Sequence, residues 1–523
     1  MINEILTDAY ELCQIINSLT KQEMLEYEKI VSIFLNALRE QEEDLTKEVV
    51  DVISKCKNSK NLYAYIFLQS IIVNITLDKE ELLDLEKYII KNTELDAGTK
   101  HFLFYQIKYL IFCHEKLRTE QTLLLQWQLF EQVVNLYKGL VHTKLEYIPQ
   151  KKRNHNIVLV VTEQFLKTQH GPTKTALDRC KTLIKEMKKE VVLINTAEFG
   201  SFYNICPFYE SMYGGYMQQY IDLQEVTWKD VTVPYIQCED NMPNPEVIDV
   251  LLETVYSLKP EYIVMIGSDS IFGNLADEII PVLSVGLSPS EMGNAMVSYQ
   301  TMSRKLNDED IRILHAMGKS EDSIIQSVFT SGLKVQTEYV TRAELGIAEK
   351  NFVMAVIGAR LDVEVTDSFC DMLEDVLEEG MQVVFIGRFH QYYKINWKRY
   401  PKLKQYSKYL GFCQDILSRL ECCDLYVNPI RSGGGTSGVE ALYKGLPVVT
   451  TEYGDVATNV GEAFWVKDYE EMKLRIRQYR DDADYYHKQS QWALEKAKEL
   501  LDTDGEFVKI ISEMERREQY KNH

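Results

Sequence analysis

The sequence predicts an α/β protein in which an all-helical segment precedes two successive parallel-sheet domains, and three observations support this prediction. The chain has 523 residues, which is too long for a single hydrophobic core. Residues 1–148 contain almost no glycine or proline and repeat apolar residues every three or four positions, as amphipathic helices do. From Lys151 onward, short β-branched runs alternate with helical segments, an order typical of parallel sheets.

These observations divide the chain into an all-helical domain (1–150) and two α/β domains (151–335 and 336–523). Strands that alternate with helices imply right-handed βαβ units in both α/β domains. The runs that predict strands in the first are NIVLVV (156–161), EVVLINT (190–196), VTVPYIQ (231–237), YIVMIG (262–267) and IPVLSVG (280–286). Those in the second are FVMAVIGAR (352–360), MQVVFIGRF (381–389), YSKYLGF (406–412), DLYVNP (424–429), LPVVT (446–450) and AFWV (463–466).

Composition and charge exclude several classes of function. A hydrophobic content of 45% and a charged content of 26% are typical of a soluble globular protein. The net charge of -21 argues against a nucleic-acid binder and against a basic membrane-surface patch. We expect neither a signal peptide nor an integral membrane segment, because no run of 18 apolar residues occurs. Ten scattered cysteines without a CxxC spacing fit a cytoplasmic protein with reduced thiols.

The strongest indication of function lies in NPIRSGGGTSGVEALYKGLPVVT (428–450), where a glycine loop joins a strand to a helix predicted from about Thr436. Parallel sheets bind ligands at the carboxyl ends of their strands. Glycines let backbone N–H groups approach a ligand, and a helix start adds unpaired N–H groups and about half a positive charge. The segment therefore predicts a phosphate-binding site.

The sequence of this loop allows three other interpretations to be compared with a phosphate-binding site. A triphosphate P-loop is excluded because Val439 stands where its lysine must be. A dinucleotide fingerprint, GxGxxG, is matched within 433–438, but such a fingerprint should open its domain and here comes near the end of one. The third is structural: Ser437 and Glu440 have the spacing of a capping box, so the acid could serve only to cap the helix.

The stretch GGGTSGVEALYKGLPVVT, followed by YGDVATNVGEAFWV, resembles the donor-binding segment of GT-B glycosyltransferases. In that family two Rossmann-like domains face each other across a cleft, and the C-terminal domain binds the nucleotide sugar. The resemblance implies that Glu440 binds the ribose hydroxyls. It also implies a diphosphate site on the backbone of Gly433, Gly434, Gly435, Thr436 and Ser437.

The likeness extends over residues 352–466. YLGF (409–412) resembles the segment whose main chain contacts the base, which places Phe412 beside uracil. VIGAR (356–360) resembles the first strand of the donor domain, whose arginine, Arg360, reaches the diphosphate.

This chain departs from the family pattern at two places. Ser432 stands where many retaining enzymes have a first glutamate, and Thr366, with Glu364 nearby, stands where many relatives have a lysine. The stereochemical outcome therefore stays open. Neutralising the leaving diphosphate falls to the helix start and three strand-end arginines. These are Arg360, Arg388 and Arg431.

A more distant likeness covers the first α/β domain. LVVTEQFLKTQHGPTKTALDR (159–179) and PEYIVMIGSDSIFGNLADEIIPVLSVG (260–286) resemble segments of the bacterial cytoplasmic adhesin glycosyltransferases. Those enzymes attach hexoses to proteins, carry a helical domain ahead of the GT-B pair and are related to O-GlcNAc transferases. His170, just after the first strand, is the candidate catalytic group, either as a base or as a group that positions the acceptor. Gly171 is a candidate for a close backbone N–H on the acceptor side.

Together these features predict a cytoplasmic hexosyltransferase that uses a nucleotide diphosphate sugar, which we expect to be UDP-linked, with a protein as acceptor. The DxD pairs Asp308/Asp310 and Asp482/Asp484 lie in charged helical stretches, so we interpret them as helix caps and expect no metal or other cofactor. Two alternatives stay open. One is a transferase for surface polysaccharide or glycolipid, and the other is an inactive GT-B adaptor subunit.

Overall fold

The computed structural model describes residues 2–24, 27–38, 41, 43–57, 60–168, 170–199, 215, 217–239 and 241–521. The chain forms two compact units. Unit 1 comprises Met1–Val285, Gly293–Gln300 and Leu306–Ile324, and unit 2 comprises Gly286–Met292, Thr301–Lys305 and Ile325–His523. The division into three domains given above, and their boundaries, stay a prediction.

The first part of unit 1 is helical, as the apolar spacing predicts. Its helices are α1 (Ile2–Ser18), α2 (Lys21–Met24), α3 (Glu28–Leu38), α4 (Glu43–Cys56), α5 (Leu62–Thr76), α6 (Lys79–Lys91), α7 (Ala97–Cys113) and α8 (Glu120–Leu140). Side chains of Asn61, Asp78, Asp96 and Thr119 accept first-turn N–H groups and so fix where α5 to α8 begin. Helices α1, α3 and α4 share one apolar core with part of α5, whereas α6, α7 and α8 bury their apolar faces in the core of the first sheet.

The first sheet has the predicted parallel strands at its centre and belongs to unit 1 except for residues 301–302 and 325–326. Its strands are β1 (Asn154–Thr162), β2 (Glu190–Asn195), β3 (Glu225–Trp228), β4 (Val231–Gln237), β5 (Pro260–Ile266), β6 (Val282–Val285), β7 (Tyr299–Met302) and β8 (Ile324–Gln326). The helices between them are α9 (Gly171–Lys185), α10 (Pro245–Leu258), α11 (Ile271–Ala276) and α12 (Asp308–Ala316). The strand order is β3-β4-β2-β1-β5-β6-β7-β8, with β3 antiparallel to β4. Strands β3, β7 and β8 were not predicted.

The sheet of unit 2 is parallel in every recorded pair. Its strands are β9 (Phe352–Gly358), β10 (Met381–Gly387), β11 (Ser407–Gly411), β12 (Leu425–Val427), β13 (Val448–Thr451) and β14 (Trp465–Val466). Its helices are α13 (Leu361–Glu364), α14 (Asp367–Val376), α15 (Pro401–Tyr406), α16 (Ile416–Leu420), α17 (Gly435–Tyr443), α18 (Gly454–Val460), α19 (Tyr469–Asp481), α20 (Ala483–Leu501) and α21 (Thr503–Lys521). Among the helices of the described ranges, none is long and apolar enough to cross a membrane.

The strand order of unit 2, β11-β10-β9-β12-β13-β14, is the 3-2-1-4-5-6 order of dinucleotide-binding folds. The direction of winding reverses between β9 and β12, which makes this the switch point where such sheets bind ligands. The glycine loop follows β12 directly, so it lies at the switch point of unit 2. In unit 1 the parallel strands β4-β2-β1-β5-β6-β7 repeat the same order, which puts a second switch point between β1 and β5.

Candidate functional site

The glycine loop of unit 2 turns sharply into α17. Gly434 is the N-cap residue with φ of 94°, a left-handed conformation that favours glycine, and the helix begins at Gly435, one residue before the predicted start. The Asn459 side chain donates to the Gly435 carbonyl at 3.1 Å, and the Asp455 N–H donates to the Ser432 carbonyl at 2.7 Å. Both contacts come from α18, one from its start and one from near its end, so α18 holds the loop in place.

Arg431 lies beneath this loop rather than on its surface. A Cβ built on Gly434 would come within 2.4 Å of Nη2 of Arg431, so only glycine lets the chain pass over the guanidinium. Nε donates to Asn428 Oδ1 at 2.8 Å, Nη1 to Glu364 Oε2 at 2.7 Å and Nη2 to the Tyr426 hydroxyl at 2.5 Å. The bare backbone therefore accommodates a buried cation directly under the helix start.

The charge balance at this switch point is positive. Burial alone would lower the pKa of Arg431, but Tyr426 and Glu364 raise it, so the guanidinium stays charged. Arg360, half-buried at the end of β9, contacts the other carboxylate oxygen of Glu364 at 3.1 Å. Two arginines thus share one buried acid. A Cβ on Gly358 would come within 2.7 Å of both Arg431 and Glu364, which explains the glycine that ends β9.

The capping-box interpretation of Ser437 and Glu440 is wrong. The N-cap is Gly434, without a side-chain cap, and Ser437 Oγ instead donates to the Gly434 carbonyl at 2.7 Å. The Tyr426 hydroxyl lies 3.0 Å from Ser437 Oγ and connects it to Arg431. Glu440, half-buried in the next turn of α17, is therefore not needed for capping.

Glu440 lies near the loop that follows β11. Burial raises the pKa of the Cys413 thiol, Arg419 lowers it, and the Glu440 carboxylate raises it further. Phe412, which precedes that cysteine, exposes 68% of its surface. The structure thus brings the predicted uracil neighbour and the predicted ribose ligand to the same region of unit 2.

Arg388 and the strand-end backbone complete the predicted set. The Arg388 N–H donates to the Gly358 carbonyl at 3.1 Å, and the Arg388 carbonyl accepts from the Leu361 N–H at 3.2 Å. These bonds connect the ends of β9 and β10. The Arg388 side chain is exposed. Thr436 is half-buried and Gly433 is buried.

Sequence reasoning missed Asp455 at the start of α18. Its Oδ1 accepts from Ser288 Oγ at 2.6 Å, from Ser290 Oγ at 2.7 Å and from the Ser290 N–H at 3.3 Å. Burial raises the pKa of Asp455 to about 7, despite these donors. The available signal was the position of Asp455, shortly after the predicted strand LPVVT, because parallel sheets bind ligands at the carboxyl ends of their strands.

His170 is the N-cap residue of α9 in unit 1, directly after the loop that leaves β1. Its Nδ1 lies 3.2 Å from Thr173 Oγ1, and burial lowers the pKa of His170 to about 4, so the imidazole is neutral at physiological pH. Gly171 is exposed and a Cβ there would meet nothing within 4 Å. No contact in the described chain therefore requires a glycine at this position.

The switch point of unit 1 holds a buried acidic network that the sequence did not reveal. Glu163 accepts from the Tyr105 hydroxyl at 2.6 Å and from the Asp269 N–H at 2.7 Å. Lys108 donates to the Asp269 carboxylate. Burial, and then the Asp269 charge, raise the pKa of Glu163, while burial raises the pKa of Glu198 to about 7. Because Tyr105 and Lys108 belong to α7, the helical segment fills the strand ends of unit 1.

The DxD pairs act as helix caps. Asp310 accepts from the Asn307 N–H at 2.8 Å in a reciprocal capping box, and Asp482 accepts from the Tyr485 N–H at 2.9 Å. Across the ranges that the structure describes, no three His, Cys, Asp or Glu side chains group as metal ligands.

Two units with this strand order, preceded by helices, form the predicted GT-B fold. Residues 352–482 match the family model of the glycosyl transferases group 1. No curated protein matches the chain in sequence.

The chain is similar to several solved structures, of which the first named here supports the fold. A mutant of the O-GlcNAc transferase of Thermobaculum terrenum is 11% identical, with a TM-score of 0.56 over 99% of this chain and 97% of that one. Anabaena HepE in complex with UDP is 13% identical, with a TM-score of 0.48 over 70% of this chain and 100% of that one. A glycosyltransferase of Rickettsia africae is 11% identical, with a TM-score of 0.49 over 70% and 98%.

Proposed function

We propose that the protein moves a hexose from a UDP-linked sugar to a protein acceptor in the cytosol. The observation that carries the proposal is the start of α17, where glycine amides, a buried arginine and Glu440 occupy one short stretch at a switch point. The match of residues 352–482 to the glycosyltransferase model supports it.

The diphosphate binds at the start of α17. First-turn N–H groups of a helix have no partner inside it, and the helix dipole adds about half a positive charge there. Arg431, buried under Gly434, adds a full charge that Glu364 offsets only in part, because Arg360 shares that carboxylate. The exposed Arg388 supplies a further guanidinium at the neighbouring strand end, so the site needs no metal.

The nucleoside lies against the loop after β11. Glu440 accepts hydrogen bonds from the ribose hydroxyls, as a half-buried carboxylate one turn into α17 can do. The exposed ring of Phe412 packs against uracil, which buries an aromatic surface that the free protein leaves in water.

In the reaction, the acceptor nucleophile forms a bond to the anomeric carbon while the bond from that carbon to the phosphate oxygen breaks, and the proton of the nucleophile passes to water. UDP leaves with the additional negative charge, which the helix start and arginines stabilise. His170 contacts the acceptor group from unit 1, with Gly171 beside it. The helical segment offers a surface along which an acceptor polypeptide can lie.

Calorimetry with UDP tests the donor half of this proposal. We expect Glu440→Ala to weaken UDP binding by roughly 10- to 100-fold, since a hydrogen bond to a charged group contributes about 1.5–3 kcal/mol. The matched control is Glu379→Ala, in the exposed turn before β10 at the amino end of the sheet, which leaves the affinity unchanged. A wild-type protein that binds no nucleoside diphosphate contradicts the proposal.

Activity assays test the transfer itself. Release of UDP from a panel of UDP-sugars without acceptor identifies the donor, and addition of an unfolded polypeptide or a lipid-linked acceptor identifies the acceptor class. We expect the polypeptide to accelerate UDP release. Acceleration by the lipid-linked acceptor alone favours the glycolipid alternative, and UDP binding without turnover of any sugar favours an adaptor.

A further inference from the structure

The hydrogen bonds of one buried threonine determine which nitrogen of His170 carries its proton. Thr173 lies in the first turn of α9 and is completely buried. Its Oγ1 is 2.8 Å from the Leu166 main-chain nitrogen and 3.2 Å from His170 Nδ1. The threonine thus connects the loop that leaves β1 to the imidazole.

The directions of these two bonds follow from what each group can do. A main-chain N–H only donates, so Leu166 occupies one lone pair of Oγ1. The hydroxyl proton then needs an acceptor, because a buried hydroxyl without one destabilises the folded protein. Within the described ranges, the acceptor recorded in hydrogen-bond reach of this hydroxyl is Nδ1 of His170. That nitrogen is therefore unprotonated, and the proton of a neutral imidazole is on Nε2.

Two further observations agree with a neutral ring of this form. Burial holds the pKa of His170 near 4, so the ring does not take up a second proton at physiological pH. Catalytic bases commonly have a carboxylate that accepts from Nδ1–H and leaves Nε2 free to take a proton. In the part of the chain that the structure describes, the side-chain group beside His170 Nδ1 is the hydroxyl of Thr173 instead.

We propose that Thr173 is a positioning residue that fixes His170 as the Nε2–H tautomer. On the basis of the glycosyl transfer proposed above, His170 then donates a hydrogen bond to an oxygen atom of the reacting groups and does not act as the general base. The two options left open by the sequence, a base and a group that positions the acceptor, are thereby separated.

Nuclear magnetic resonance on the free protein with ¹⁵N-labelled histidine measures the tautomer without any activity. We expect the His170 signals, assigned by their loss in His170→Gln, to show protonated Nε2 and unprotonated Nδ1 at pH 7. Thr173→Ser keeps this pattern because it keeps the hydroxyl, whereas Thr173→Val shifts the population toward the other tautomer. A wild-type ring with its proton on Nδ1 overturns the proposal.

Kinetics then test the role of the donor. A glutamine amide can donate from nearly the position of Nε2 but cannot accept a proton, so we expect His170→Gln to keep kcat within about 10-fold of wild type. His170→Ala loses about 100-fold or more, as expected for removal of a group at a reacting oxygen. Equal losses in the two variants overturn the proposal. Absence of all transferase activity in the wild type instead contradicts the proposed function, and the tautomer measurement still decides the role of Thr173.

Discussion

The two sheets share a strand order but have opposite chemistry at their switch points. In unit 2 the strand ends carry Arg431 and Arg360 around one buried acid, Glu364. In unit 1 the corresponding ends carry three buried acids, Glu163, Glu198 and Asp269. Lys108 forms an ion pair with Asp269. An anionic ligand is attracted to the first of these edges, whereas at the second burial raises the pKa values of Glu163 and Glu198 and so favours uncharged carboxyl groups.

The second difference concerns what covers each edge. In unit 2 the residues of the predicted site include half-buried and exposed groups, such as Thr436, Glu440 and Phe412. In unit 1, Tyr105 from α7 donates directly to the carboxyl group that follows β1, and both side chains are buried. The same fold therefore provides one edge that fits the proposed ligand site and one edge to which the chain's own helix packs. The two edges share their strand order and differ in charge and burial.

Replacement of the buried arginine is the largest expected effect. Arg431→Met should lower the free energy of unfolding by about 3–5 kcal/mol, because it leaves the Glu364 carboxylate buried without its main partner. Lys108→Met, the matched change in unit 1, should cost about 1–3 kcal/mol, because the lysine is 34% exposed and Asp269 keeps its bond from Ser268. Urea titration measures both. Equal losses would mean that the two edges do not differ in the way described.

The glycine over Arg431 provides a sharper test of unit 2. Gly434→Ala introduces a left-handed alanine, which costs about 1–2 kcal/mol, and also a methyl group in contact with the guanidinium. Gly380→Ala is the matched control, since Gly380 has φ of 85° but nothing within 4 Å of a Cβ. We expect the control to show only the conformational cost and normal UDP affinity. Gly434→Ala should unfold more easily than the control and bind UDP at least about 10-fold more weakly.

Much of this arrangement could be read from local sequence patterns. The β-branched runs predicted the strands on both sides of each switch point. The glycine loop marked the edge of unit 2 at which we expect the ligand. Strands β3, β7 and β8 were missed because EVTW, YQTM and IIQ are short and mix polar with apolar residues. Their pairing comes from neighbouring strands rather than from their own composition.

The contacts that distinguish the two edges are long-range, and local spacing does not encode them. Lys108 and Asp269 are 161 positions apart, and Glu364 and Arg431 are 67 positions apart. The sequence identified Arg431 as a charge near the loop but gave no indication that it lies under Gly434. Its role as a direct phosphate ligand stays a prediction, as do those of the other site residues.

The acidic edge of unit 1 should also make stability depend on pH. The pKa of Glu198 is raised to about 7 in the folded protein by burial, above the ordinary value of 4.5. Between these values the folded state holds a proton that the unfolded state releases, so this group's contribution to stability is lost as pH rises toward 7. The expected slope approaches about 1.4 kcal/mol per pH unit. Glu198→Gln should remove that slope, because the amide can still accept from the Phe272 N–H and contact Thr196 without titrating.

The control for this prediction titrates in the opposite sense. Arg516 and Arg517 lower the pKa of Glu513 to about 2, so its contribution is complete above pH 4.5 and changes only at lower pH. Glu513→Gln should therefore leave the slope between pH 5 and 7 as it is in the wild type, when urea titrations are compared at each pH. If Glu198→Gln and Glu513→Gln gave the same profile, the buried carboxyl would be ionised in the folded protein. The pH dependence predicted for the edge of unit 1 would then be wrong.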